Sequence, residues 1–211
     1  MCITFSDEAE VARVQNTIAQ LQWFQEHGYP DGFAKLPQDI TAESDESSIR
    51  TAVAHEYDAE KFERVRTYLE QEWPGFQAGF KAMQAHPGYE FRDEYQVVLT
   101  CYGSGGSYDP STGELTINVQ RAAEENRLPG VIVHEIIHTS IQHLVDRYRI
   151  VHWRKEAIVD LLLERYFPTL HMRQRIPMND LSVVEEAFNT SFPDIIEIAK
   201  KVGTDSRLTT G

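Results

Sequence analysis

The chain has 211 residues, 41% of them hydrophobic and 10% aromatic, with 33 acidic against 20 basic side chains and a formal net charge of −13. That apolar content is enough to bury a core, while the charge argues against nucleic acid, whose phosphates call for a Lys/Arg surface, and against anionic membranes, leaving only a local basic patch such as Arg147 to Arg154. No apolar run approaches a membrane span, and Met1 to Glu10 lacks the basic-then-apolar order of a signal peptide, so a cytoplasmic protein is expected.

From the N-terminus, Val11, Val14, Ile18, Leu21 and Phe24 recur at helical spacing, which predicts an amphipathic helix over Asp7 to His27 with Ser6 as N-cap and Gly28 as terminator. Tyr29 to Gln38, with Pro30, Gly32 and Pro37, reads as a loop. Ser44 to Trp73 follows as one long helical pattern through Ile49, Val53, Tyr57, Phe62, Val65 and Leu69, and Pro74-Gly75 ends it. A shorter helix runs to about Ala85 and closes at Pro87-Gly88. His55, Glu56 and His86 lack metal-ligand spacing and read as surface residues.

Beyond Tyr89 the period changes. Glu94 to Tyr102 is rich in Val, Leu, Thr and Tyr, and Leu115 to Val119 alternates, which predicts two antiparallel strands joined across Gly103 to Glu114. Within that connection Asp109-Pro110-Ser111-Thr112-Gly113 is a turn signal, whereas Gly103-Ser104-Gly105-Gly106 lacks the Gly-Lys-Ser/Thr of a phosphate loop. Cys2 and Cys101 are too few for a disulfide framework and have no C-x-x-C spacing; Cys2 reads as a free thiol.

The chemistry lies in His134-Glu135-Ile136-Ile137-His138, a complete H-E-x-x-H inside the apolar stretch Val131 to Val145. Residues four apart on a helix stand one above the other, so His134 and His138 present two imidazoles to one point with Glu135 beside them. A zinc ion takes two nitrogen ligands in this way, and its water takes a general base. A shuffled chain of this composition contains the pattern roughly 3% of the time, so its setting matters. Histidines in a helix apolar nearly all round need partners, and a pair of satisfied core histidines is the plain alternative. His143, five residues past His138, points away around the helix.

A second helix is expected over Trp153 to Phe167, stopped by Pro168, with Glu156 and Asp160 four apart on one face. Alone, those carboxylates would read as a solvated stripe. Taken together, His134-Glu135-x-x-His138 and Glu156-x-x-x-Asp160 resemble the gluzincins, the thermolysin-like and aminopeptidase-like zinc metallopeptidases. The resemblance covers about residues 89 to 167. It implies that Glu156 is the third zinc ligand, that Asp160 steadies a ligand histidine, and that Glu135 is the general base which takes a proton from water and passes it to the leaving amine. The spacer is slightly shorter than in those families, Lys155 stands where they carry Asn, and Ile141 and Leu144 exclude the metzincin pattern. Gluzincins also supply a downstream Tyr or His as oxyanion donor; the candidates are Tyr166, His171 and Tyr148.

Leu181 to Thr190 and Pro193 to Val202 suggest two more short helices, and Asp205 to Gly211 a polar tail. The fold implied is α+β and zincin-like, mostly helical, with a small antiparallel sheet preceding the H-E-x-x-H helix. An N-terminal helical region, residues 1 to 88, would pack on a catalytic region, residues 89 to 211, in one compact domain. The function implied is a zinc-dependent peptidase acting on peptides or proteins, with the Gln96 to Tyr102 strand pairing an extended substrate by strand addition. A zincin-like zinc-binding interaction module without activity is the alternative. A di-metal carboxylate bundle needs a second Glu-x-x-His, which the chain lacks, and a metal-free helical interaction protein is the remaining rival.

Overall fold

A computed structural model describes residues 1–120, 127–170 and 181–203. The architecture is α+β and mostly helical with a small four-stranded sheet. The chain divides into two compact units, Met1–Trp73 with Glu94–Ile132, and Pro74–Asp93 with Val133–Gly211.

The first unit opens with a short strand β1 (Cys2–Thr4) and the helix α1 (Asp7–Glu26). Ser6 caps α1 by accepting from the Ala9 N–H at 3.1 Å, with Asp7, Glu8 and Glu10 in the first turn where the helix dipole favours anions. Gly28 follows at φ 76°, a left-handed conformation that glycine adopts without steric cost. The single helix expected over Ser44 to Trp73 is two, α2 (Glu46–Glu56) and α3 (Ala59–Glu72). The break has a local cause. Tyr57 leaves α2 in an extended conformation and Asp58 restarts the chain as an N-cap, accepting from the Lys61 N–H at 3.0 Å. Aspartate bonds backbone more readily at a cap than in a helix interior, and the apolar period alone hides that preference. Val11, Val14, Ile49, Val53 and Tyr102 form a buried cluster, each aliphatic member contributing about 2 kcal/mol by its removal from water.

The sheet corrects the expected strand pairing. Strand β2 (Gln96–Thr100) runs parallel to β4 (Leu115–Asn118), with Val97 opposite Leu115 and Thr100 opposite Asn118. The antiparallel partner of β4 is β3 (Gly106–Tyr108), formed within the expected connection. Asp109 shapes the β3–β4 turn by accepting from the N–H groups of Ser111 at 2.7 Å and Thr112 at 3.2 Å, and Gly113 supplies φ 74°. The turn signal thus closes a hairpin, but with a three-residue strand too short to show a period of its own. On the other side β1 pairs parallel to β2, giving the order β1-β2-β4-β3. Strand β2 therefore lies between β4 and β1, which runs beside Gln96 to Val98, rather than at the sheet edge expected of a strand that receives a peptide.

In the second unit, α4 (Gln77–Gln84) follows a 3₁₀ turn over Trp73–Phe76 at the predicted Pro74-Gly75 break. Helix α5 (Leu128–Tyr148) carries Pro129 in its first turn, where no intrahelical N–H is needed, and the unit boundary falls inside it. Val133, Ile136, Ile137, Ile141 and Leu144 are all buried, as the absence of a polar face predicts. Helix α6 (His152–Tyr166) starts after a reversal in which Arg149 takes φ 53° and the Ile150 N–H reaches the Val145 carbonyl. Phe80 of α4 meets Phe167 edge-on, ring centroids 4.9 Å apart, and Gly79 allows the approach because a Cβ there would collide with the Phe167 ring. The two short helices appear as α7 (Ser182–Ser191) and α8 (Ile195–Gly203), and Arg154 ties α6 to the end of α8 by donating to the Val202 carbonyl at 2.9 Å. The tail over 205 to 211 lies outside the described residues. Among the described residues no helix is long and apolar enough to cross a membrane.

Candidate metal centre

One helical turn separates His134 from His138 on α5, which brings their rings to a centroid distance of 4.6 Å and their Nε2 atoms to 2.9 Å. Glu156 enters from the second turn of α6. Its Oε2 lies 3.3 Å from His134 Nε2 and 3.1 Å from His138 Nε2, so three donor atoms close a triangle with edges of 2.9, 3.1 and 3.3 Å. Ligands about 2.1 Å from a tetrahedrally coordinated ion stand roughly 3.4 Å apart, close to these edges. The three residues are 1%, 2% and 4% exposed. Two imidazoles and a carboxylate converging in a buried place make a group that could hold a metal ion. The donor set suits zinc and also mononuclear iron(II).

Asp160, one turn beyond Glu156, places Oδ1 3.5 Å from His134 Nδ1, the ring nitrogen opposite the one that faces the cluster. This is ion-pair range, slightly long for a hydrogen bond, and it is where a carboxylate orients a ligand imidazole. Glu135 is 7% exposed, and its negative charge acts on His134.

Two further residues join the cluster. The second oxygen of Glu156, Oε1, lies 3.3 Å from Lys155 Nζ and 3.6 Å from His152 Nδ1. His152 precedes Glu156 by four residues on α6, an available spacing signal that an expected helix start at Trp153 conceals. Lys155 enters the sequence reading only as a departure from the family pattern.

The protonation pattern follows from these contacts. Burial pushes His138 down to about 3, with the charges of Lys155 and His134 adding to it, so its ring is neutral. Burial opposes protonation of His134 as well, but the hydrogen bond to Glu156 and the charges of Glu135, Glu156 and Asp160 outweigh it and raise its pKa. Burial likewise opposes ionisation of Glu156, yet His138 and His134 hold its carboxyl well below the usual range. The short Nε2–Nε2 approach then joins an N–H on His134 to a lone pair on His138.

Two of the three oxyanion candidates, Tyr148 and Tyr166, do not reach this place. Tyr148 and Tyr166 each lie ten residues beyond a cluster residue on the same helix, a rise of about 15 Å along the axis. Tyr148 packs against Gly203, and Tyr166 sits among Tyr89, His86 and Phe192, with ring centroids at 6.3, 6.5 and 5.6 Å. His171 lies outside the described residues. His143 turns away from the cluster, 3.5 Å from a Glu90 carboxylate oxygen, and Cys2 is an exposed residue of β1. In the first unit the Gly103 to Gly106 segment is held by Arg13, which donates to Ser107 Oγ at 3.0 Å and Ser104 Oγ at 3.2 Å. No family model, curated protein or solved structure matches this chain.

Proposed function

We propose that the chain is a zinc-dependent metallopeptidase of the zincin type, with His134, His138 and Glu156 as metal ligands and Glu135 as general base. The observation that carries this reading is the convergence of three donor atoms within 3.3 Å from two separately predicted helices, with Glu135 next to a ligand histidine. Glu135 also favours zinc over iron, since a base beside the ligands serves hydrolysis. Zinc bound there supplies a Lewis acid for a peptide carbonyl and brings a water close to ionisation at neutral pH. The protein's part is positional and protonic: Asp160 holds the His134 ring from Nδ1, and the Glu135 carboxylate accepts a proton from the attacking water and returns it to the leaving amine.

A second reading, a zinc-binding interaction module without hydrolytic activity, is favoured by the distance of Tyr148 and Tyr166 from the cluster. Elemental analysis of the protein, followed by zinc titration and a peptide-library digest read by mass spectrometry, separates the two. The expected result is one zinc per chain, and cleavage that disappears in Glu135→Gln while zinc content stays near wild type. Loss of the metal in that variant would sink the role given to Glu135, and an iron-loaded protein would sink the choice of zinc. Zinc binding with no Glu135-dependent cleavage selects the module.

A further inference from the structure

The Glu156 carboxylate is divided between two surroundings. Oε2 faces the two imidazoles, and Oε1 faces Lys155 Nζ at 3.3 Å. Successive residues on a helix point about 100° apart, so Lys155 is not directed at its neighbour by its place on α6. A lysine in such a position ordinarily carries its ammonium out to water. Here the side chain keeps only 15% of its exposure and the ammonium turns to the buried carboxylate of Glu156. A fixed cation beside a site for a dication has to be explained, because like charges at such range repel.

We infer that Lys155 is a built-in counter-charge for Glu156, which stabilises the carboxylate before metal enters and lowers the affinity of the site for metal. The inference rests on the metal centre proposed above. On a bound metal both histidines are neutral, so Glu156, Lys155 and a divalent ion sum to +2, and without Lys155 the same group sums to +1. Removing the charge therefore has opposite effects on the two forms of the protein. Chelated protein is left with a less compensated buried carboxylate, while metal-loaded protein loses a repulsion and keeps Glu156 oriented through the ion on Oε2. A lysine that merely packed its stem against α6 would weaken both forms together.

The test compares wild type with Lys155→Met, which keeps most of the stem, and Lys155→Arg, which keeps the charge, by thermal melting after chelation and by competitive zinc titration. For Lys155→Met the chelated protein is expected to melt about 5 °C lower and zinc to bind about 10-fold tighter, with Lys155→Arg close to wild type in both. Zinc binding unchanged or weaker in Lys155→Met, or an unchanged melting point of the chelated form, overturns the counter-charge. Should Lys155→Met fail to fold, Lys155→Gln, which keeps a donor for Oε1 and drops the charge, carries the same two expectations. Wild type that takes up no zinc refutes the metal centre itself, and with it the role of Lys155. Zinc-binding wild type without tighter binding in the uncharged variants refutes Lys155 alone.

Discussion

At the scale of single residues, the carboxylates around His134 favour a proton where a metal ion would bind. His134 is raised above its ordinary pKa by the carboxylates around it, and its Nε2 faces both His138 Nε2 and Glu156 Oε2. A metal ligand must offer a lone pair, so zinc has to displace that proton. The sign follows from the direction of the shift. The metal-free protein binds the proton more firmly than an ordinary histidine does, so apparent zinc affinity is full above the raised pKa and falls as pH drops through it, by up to tenfold per pH unit. Calorimetric titrations over a series of pH values, in buffers of different ionisation enthalpy, should show proton release on zinc binding that grows as pH falls toward the raised pKa. Release of none would mean that His134 enters neutral and that its carboxylate neighbours act only on its orientation.

At the scale of elements, α1 carries an acid whose environment works against its charge. Glu10 is 2% exposed in the first turn and accepts from the Cys101 N–H of the segment after β2 at 2.8 Å. Burial pushes its carboxyl up to about 7, against that hydrogen bond and the nearby charges of Lys61 and Arg13. Because the folded protein holds the proton more tightly than the unfolded chain, Glu10 favours folding most below pH 4.5. That contribution is lost as pH rises from about 4.5 to 7, a change of about 3 kcal/mol. Glu10→Gln keeps an acceptor for the Cys101 N–H and cannot ionise. Urea unfolding should find the variant more stable than wild type at pH 8, by up to about 3 kcal/mol, and no different at pH 4.5. A difference that does not grow with pH between those limits would place the titration elsewhere.

For the whole molecule, all the residues of the candidate metal centre belong to the unit built from Pro74–Asp93 and Val133–Gly211. A ligand that binds only the folded form stabilises it by RT ln(1 + [L]/Kd), about 2.7 kcal/mol at one hundred times Kd. That energy enters through α5 and α6. Zinc is expected to slow amide hydrogen exchange most over His134 to His138 and Glu156 to Asp160. Mass spectrometry of zinc-loaded against chelated protein reads this directly. Slowing no greater there than in α1 would show that the metal binds at another place.

Apart from the grouping of Glu156 with His134 and His138, which the family resemblance implies, the features legible in the sequence are made by residues a few positions apart. The turn-apart histidines of α5, the Glu156 and Asp160 face of α6, the Ser6 cap and the Asp109 turn each depend on spacings of two to four residues, which backbone geometry converts into proximity without help from the rest of the chain. Strand partners are different. Val97 lies opposite Leu115 across 18 positions, and nothing in either strand says whether its neighbour is parallel or antiparallel, or that Cys2–Thr4 completes the sheet. The surroundings of Glu156 have the same character: its residue type is written in the chain, but the sharing of its two oxygens between imidazoles from α5 and the ammonium of Lys155 is decided where two helices meet. Tertiary packing chose these partners because buried polar and charged groups must find compensation wherever the fold brings it, however far away in sequence.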